Sequence, residues 1–238
     1  MNNLAIITAS QAFIYPPEAI RLSYLIMPHL QGAIAQTFGF RGSGIASPPQ
    51  TFGPVDMTNP PGLVYEWGQW ESDTGVPFPI RLLAIENKRI VWQIAGAENE
   101  AIKGPMEQLE SIRESARTLA EGVKVIGQWK STQWYSEMSF TLDVDAFKRV
   151  VPLLHMIDEA LYMEIPQTQR TFPAITVFNY RPDESFPGEL RQWHGSKFNL
   201  ALRQGTTVDE NTFYSAAPLK TKDHIALIEK IENHLKKA

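Results

Sequence analysis

The chain has 238 residues, 43% of them apolar, and a formal net charge of −4, so it is long enough for one large globular domain or two small ones. It contains no cysteine, which excludes disulfides, thiolate metal sites and a cysteine nucleophile. The mildly negative charge and the absence of a long basic run argue against binding of nucleic acid.

The amino-terminal residues include no basic stretch, and their apolar run is shorter than that of a secretory signal. No apolar run elsewhere approaches the roughly 20 residues that span a bilayer. The sequence therefore predicts a cytoplasmic protein that does not contact membranes.

The first predicted elements are a strand and a kinked helix. The strand covers residues 4–15 and ends at two prolines. Apolar residues then recur at helical spacing from Ile20 to Phe38, which predicts a helix that Pro28 kinks and Gly39 ends.

Residues 39–62 form the loosest stretch of the sequence, because glycines and prolines interrupt it throughout. Long loops in compact proteins are uncommon and are often functional. Side chains such as Phe52 are too apolar to remain in water. We therefore expect contacts to order this loop, either with its own sheet, with the second half of the chain or with another subunit.

Three strands and a helix complete the first half. The strands are predicted at residues 63–70, 79–85 and 89–95, and Asn87 and Lys88 form a two-residue turn between the last two. The helix begins at Gly104 and Pro105 and ends at Gly122.

The second half shows the same kinds of element. Alternation from Trp134 to Leu142 predicts a strand, and apolar residues at helical spacing from Phe147 to Leu161 predict a helix. Further strands are predicted at residues 123–129, 174–180 and 198–202, and a last helix begins at Thr221.

These elements predict an α+β fold, mostly antiparallel, with helices packed on one face of the sheet. The two halves, residues 1–122 and 123–238, are similar in length and in element order. Each is close to a ferredoxin-like β-α-β-β-α unit. We therefore predict an internal duplication, with halves that form two domains or share one core.

Seven residues are candidates for binding. Aromatic residues at loops and strand ends serve as interface anchors or stacking platforms, and the full set is Arg41, Phe52, Trp67, Trp70, Trp129, Trp193 and His194. For any single tryptophan, the sequence favours a role in covering the core beneath a long loop over a role in binding. The glycines around Arg41 favour a turn-rich loop over an anion-binding nest.

The sequence shows no motif for catalysis or metal binding. The histidines lack the spacing of zinc sites, and no serine lies in a nucleophile elbow. Helix capping explains the paired carboxylates Asp143 and Asp145. We therefore expect no cofactor and no tightly bound metal, and we identify no catalytic residue.

The function favoured by the sequence is non-enzymatic binding or assembly, in which exposed aromatics and the 39–62 loop contact a protein partner or a second copy of the chain. One alternative is a small-molecule enzyme with a pocket between the two halves, to which Arg41 and His194 supply polar groups. Another is a ligand sensor with the same pocket and no chemistry.

Overall fold

The structure, a computed structural model, describes residues 1–16, 19–45, 62–119, 129–145, 174–179, 197–206 and 210–237. It has an α+β fold in which the paired strands are antiparallel, so this part of the predicted fold is confirmed. The chain divides into two compact units. The first unit is Thr8–Trp134, and the second unit is Met1–Ile7 together with Tyr135–Ala238.

The first unit contains an antiparallel sheet with the strand order β2-β3-β4-β5-β1. Its strands are β1 (Asn2–Ile14, of which Thr8 onward belongs to this unit), β2 (Gly42–Ile45), β3 (Gly62–Glu71), β4 (Pro77–Glu86) and β5 (Arg89–Ala95). The pairing of Ile85 with Ile90 confirms the predicted connection between β4 and β5.

The helices of the first unit are α1 (Leu22–Leu25), α2 (Pro28–Thr37) and α3 (Lys103–Leu119), and a 3-10 helix (Asn99–Ile102) precedes α3. The predicted helix from Ile20 to Phe38 is thus divided in two. Pro28 has no N–H to donate, and it begins α2 instead of kinking a continuous helix. Gly39 follows with a φ of 57°, the left-handed conformation that ends many helices.

The core of the first unit joins the helices to one face of the sheet. Trp92 of β5 is fully buried in it and meets Phe38 edge-on, with ring centroids 5.2 Å apart. Its indole N–H also donates to the sulfur of Met106 in α3, at 3.3 Å. Burial of apolar side chains of this size stabilises the fold by roughly 1.5–3 kcal/mol each.

The second unit contains a sheet with the strand order β6-β9-β8-β7 and one described helix. Its elements are β6 (Ser131–Thr141, of which Tyr135 onward belongs to this unit), β7 (Ala174–Asn179), β8 (Lys197–Leu202), β9 (Thr212–Ala217) and α4 (Thr221–Lys237). Met138, Phe140 and Leu142 are buried, as the alternation in the sequence predicted. They form the core with residues of β8, β9 and α4.

Two strands were not predicted. Strand β2 lies within the segment predicted to be a loop, and its Gly-Ser-Gly sequence has little strand propensity of its own. Pairing with β3 forms it. Strand β9 lies between β6 and β8, and its buried Ser215, Ala216 and Ala217 are too small to give an apolar alternation.

Other predictions lie outside the described residues. These are the helix at 147–161, loop residues 46–61 and all but the last residue of the strand at 123–129. The ferredoxin-like halves, the duplication and the division at 122/123 stay predictions.

Among the helices of the described ranges, none combines the length and the apolar character that crossing a membrane requires.

Candidate functional site

Trp67 is the most exposed large apolar side chain among the described residues, with 62% of its surface accessible. It lies within β3, yet its backbone φ is 57°. This left-handed conformation costs roughly 1–2 kcal/mol for a residue with a Cβ and is rare for bulky side chains. Residues in strained backbone conformations cluster at functional sites. Trp67 is therefore the leading candidate for a binding residue.

The backbone of β3 turns two consecutive side chains outward at this point. Tyr65 is buried in the core, and a Cβ at Gly68 would lie 2.6 Å from the ring of Phe40. Glu66 and Trp67, between them, are both exposed. Because a regular strand alternates its side chains, this interruption places the indole in solvent.

Strand β4 has a matching irregularity at Arg81. The register of β3 and β4 places Arg81 opposite Trp67. The register of β4 with β5 shifts between Ile80 and Leu82, which makes Arg81 the bulged residue. Its side chain is half-buried, whereas that of Ile80 is fully buried.

Arg41 lies on the other side of Trp67, where β2 begins. Its backbone N–H donates to the carbonyl of Glu66 at 3.2 Å, and Gly42 pairs with Glu66. Arg41 is therefore opposite Trp67 in the register, and it is exposed. The three residues form the Arg41–Trp67–Arg81 row, which crosses adjacent strands.

The two guanidinium groups of the row differ from that of Arg89 in their contacts with the described residues. Neither Arg41 nor Arg81 makes an ion pair or a side-chain hydrogen bond within the described part of the chain. Arg89 of β5, by contrast, donates from Nε to a carboxylate oxygen of Glu86 at 2.7 Å. The row thus combines an exposed indole with two positive charges that form no ion pair with any residue of the described ranges.

Packed rings support the row from the core side. Phe40 lies against Tyr65 and Phe38, at centroid distances of 5.3 Å and 5.8 Å. The backbone N–H of Gln69 donates to the carbonyl of Phe38 at 2.7 Å. A Cβ at Gly68 would lie 2.7 Å from this carbonyl, so glycine permits the close approach of the two segments.

Trp70 and Trp129, which were also predicted to bind, make contacts typical of residues that cover a core. Trp70 stacks on Phe78 at a centroid distance of 5.7 Å and packs over Gly104 at the start of α3. Trp129 is 39% exposed, and its ring meets Phe13 edge-on at 4.9 Å. Neither residue belongs to the row. Phe52, Trp193 and His194 lie outside the described residues, so their roles stay predictions.

The second unit buries a histidine that sequence analysis did not single out as a candidate. Nδ1 of His224 lies 2.8 Å from Oγ of Ser136, and Nε2 lies 2.8 Å from Oγ of Ser215. The two serines also contact the carbonyls of Leu219 and Asn199, at 3.1 Å and 2.9 Å. Burial lowers the pKa of His224 to about 4. A buried neutral imidazole with both nitrogens engaged fits a structural role.

Tyr135, Glu137 and Tyr214 form a polar cluster on β6 and β9. The hydroxyl of Tyr135 donates to Oε1 of Glu137 at 3.0 Å, and Tyr214 lies close enough to interact electrostatically with both residues. Burial, together with the charge of Glu137, raises the pKa of both tyrosines. A tyrosine that acts as a base at neutral pH needs a lowered pKa, so neither tyrosine is suited to act as a base.

Glu232 of α4 is a buried carboxylate with partners inside the fold. It accepts hydrogen bonds from the backbone N–H of Asp143, at 2.8 Å, and from the ammonium group of Met1. Burial raises the pKa of Glu232, but these hydrogen bonds outweigh burial and leave it below its usual value. Across the described ranges, no group of three or more histidine and carboxylate side chains is arranged to hold a metal ion.

Arg81 is the residue of the row that sequence analysis missed. It belongs to the run Ile80-Arg81-Leu82-Leu83, where two consecutive leucines break the alternation of a strand. A break of this kind is the signal of a β-bulge. The sequence alone does not show that this bulge faces Trp67.

Comparison of the sequence with models of known protein families gives no match, and comparison with curated proteins finds no similar sequence.

Proposed function

We propose that the protein is a non-enzymatic binding protein that contacts a protein partner through the Arg41–Trp67–Arg81 row. The observation that supports this most is the exposure of Trp67 in a left-handed backbone conformation. If position 67 served only the fold, glycine or asparagine would suit that backbone better and would expose less apolar surface.

The composition of the row is that of an interface centre. Tryptophan and arginine are enriched among the residues that dominate protein–protein binding energy. The indole belongs to a strand that is paired with its neighbour and that packs side chains into the core. The backbone is therefore already ordered, and little backbone entropy is lost when a partner binds. The 39–62 loop contributes Arg41 and β2 to this surface.

The enzyme and sensor alternatives receive less support from the described residues. The buried His224 and Glu232 and the half-buried Glu137 all have partners within the fold. His194, which those alternatives require, lies outside the described residues. Both alternatives stay predictions.

Site-specific photo-crosslinking tests the proposal in the cells that produce the protein. Benzoylphenylalanine replaces Trp67 in one variant and Thr74 in the control. Thr74 is exposed in the turn between β3 and β4 of the same unit, outside the row. We expect a discrete crosslinked protein from position 67 and none from position 74, and mass spectrometry then identifies the partner.

The purified partner allows a quantitative comparison. Trp67→Ala should weaken its binding at least tenfold, because loss of a central tryptophan commonly costs about 2 kcal/mol or more. Circular dichroism checks that the variant is folded. Equal crosslinking from both positions, or unchanged affinity of a folded Trp67→Ala protein, would contradict the proposal.

A further inference from the structure

We infer that the partner presents an acidic segment to the Arg41–Trp67–Arg81 row, with an apolar side chain on the indole and carboxylates on the two guanidinium groups. This inference rests on the proposed function and adds the chemistry of the partner.

The charges of the row favour carboxylates. Guanidinium groups bind carboxylates through two parallel hydrogen bonds, and such charge-assisted bonds are roughly twice as strong as neutral ones. Arg81 is half-buried at the bulge and has no carboxylate partner within the described residues. A carboxylate of the partner would neutralise the charge of Arg81 at a partly desolvated site, where an ion pair is stronger than in open water.

The geometry of the row sets the spacing of the partner's charges. Adjacent strands lie about 4.8 Å apart, so the backbones of Arg41 and Arg81 are separated by about 10 Å across β3. A polyproline II segment has three residues per turn and rises about 3.1 Å per residue, so residues three positions apart project from the same side, about 9 Å from each other. A Glu-x-x-Glu segment in this conformation, with apolar central residues, therefore matches the row.

A nucleic acid fits the same surface less well. Glu66 and Glu71 are exposed on β3 close to Trp67, and the whole chain has a net charge of −4. These charges repel a continuous phosphate backbone, whereas a short segment with two carboxylates places its charges at the arginines alone.

Nuclear magnetic resonance of protein labelled with ¹⁵N-tryptophan tests the inference directly. The indole signal of Trp67 is assigned from its loss in Trp67→Phe. The probe is the synthetic peptide Gly-Glu-Leu-Leu-Glu-Gly with blocked ends, and its control has glutamine in place of both glutamates. We expect the acidic peptide to shift the Trp67 signal in a saturable way, more weakly as salt increases, and the glutamine peptide to leave it in place.

Charge-removing variants locate the binding groups. The double variant Arg41→Gln with Arg81→Gln should bind the acidic peptide at least tenfold more weakly. Arg21→Gln, which removes an exposed arginine of the same unit outside the row, should bind it normally. Equal weakening by both variants would overturn the inference.

Other outcomes decide between the partners. An equal shift with the glutamine peptide would reject the acidic preference, and crosslinking from position 67 would still support the proposed function. No shift with either peptide would overturn the inference as well. A single-stranded oligonucleotide that binds Trp67 more tightly than the acidic peptide would reject a protein segment as the occupant. A concentration-dependent shift without any peptide would assign the surface to a second copy of the chain.

Discussion

His224 lies in the second unit with each ring nitrogen 2.8 Å from a serine hydroxyl. A neutral imidazole has one donor and one acceptor, and each serine hydroxyl has a single hydrogen. One serine therefore accepts from the ring N–H and donates to its backbone carbonyl, whereas the other donates to the ring in place of its carbonyl. Protonation would place a positive charge in a buried site where no carboxylate contacts the ring among the described residues. Burial therefore lowers the pKa of His224 to about 4.

This lowered pKa predicts how stability depends on pH. The unfolded chain takes up the proton near pH 6.5, whereas the folded chain takes it up only near pH 4. The stabilisation that the folded chain gains from the lowered pKa of His224 is therefore complete above pH 6.5, and it is lost as the pH falls towards 4. From the shift in pKa, we expect about 3 kcal/mol of unfolding free energy to depend on this histidine. Urea denaturation between pH 7 and pH 4 measures it.

Other groups also titrate between pH 7 and pH 4. The contribution of His224 is therefore isolated by comparing the pH dependence of the unfolding free energy between variants. His224→Gln should reduce the slope of unfolding free energy against pH, whatever its stability at pH 7. His234→Gln, which changes an exposed histidine of the same helix, should keep the slope of the unaltered protein. Identical slopes for all three proteins would contradict the role assigned to His224.

The tryptophans of β3 show what sequence can and cannot predict for single residues. The sequence identified Trp67 and Trp70 as unusual, and their spacing of three places them on opposite faces of a regular strand. Which ring is exposed depends on the left-handed backbone at Trp67 and on the packing of Trp70 over Gly104. Both depend on distant segments, so a local pattern does not reveal them.

Among the structural elements, α3 begins against an aromatic ring. A Cβ at Gly104 would lie 2.0 Å from Cζ2 of Trp70, far inside van der Waals contact. Gly32 in α2 is the opposite case, because a Cβ there has no atom within 4 Å. Substitution of Gly32 therefore tests helix propensity alone, whereas substitution of Gly104 also tests packing against Trp70.

Replacement of each glycine by alanine should change stability in opposite directions. Gly32→Ala should raise the unfolding free energy by about 0.5–1 kcal/mol, since alanine is the better helix former. Gly104→Ala should lower it by about 1–3 kcal/mol, because overpacking against Trp70 exceeds the gain in propensity. Urea denaturation of both variants provides the comparison, and a stabilised Gly104→Ala protein would contradict the close contact.

An element can be predicted from the sequence when its own side chains form the apolar pattern of a helix or a strand. Strands β3, β4 and β5 and helices α3 and α4 have apolar patterns strong enough to be predicted. Strands β2 and β9 consist partly of glycine, serine and alanine and exist because neighbouring strands pair with them. Pairing between distant segments is not visible in a local pattern.

For the whole molecule, the strand order of each unit supports a duplication, which we propose as the origin of the fold. In the first unit, β1 pairs with β5, the last of four consecutive strands. In the second unit, β6 pairs with β9, the last of three consecutive strands. The helices α3 and α4 follow these last strands. The first unit thus has five strands and the second has four, whereas the predicted β-α-β-β-α half has three.

The central claim is that position 67 holds tryptophan for binding and not for folding. The stability of Trp67→Gly tests this most directly, because glycine adopts a φ of 57° without strain. Relief of the left-handed backbone favours the variant by roughly 1–2 kcal/mol, and the greater freedom of glycine in the unfolded chain opposes it by roughly 0.5–1 kcal/mol. Trp70→Ala is the matched control, since it removes a packed indole three residues away.

The measurement is the free energy of unfolding from urea denaturation at pH 7. We expect Trp67→Gly to equal the unaltered protein or to exceed it by up to about 1.5 kcal/mol, and Trp70→Ala to lose about 3 kcal/mol. A loss in Trp67→Gly as large as that in Trp70→Ala would show that the exposed indole holds the fold together, and it would contradict the binding role assigned to the row.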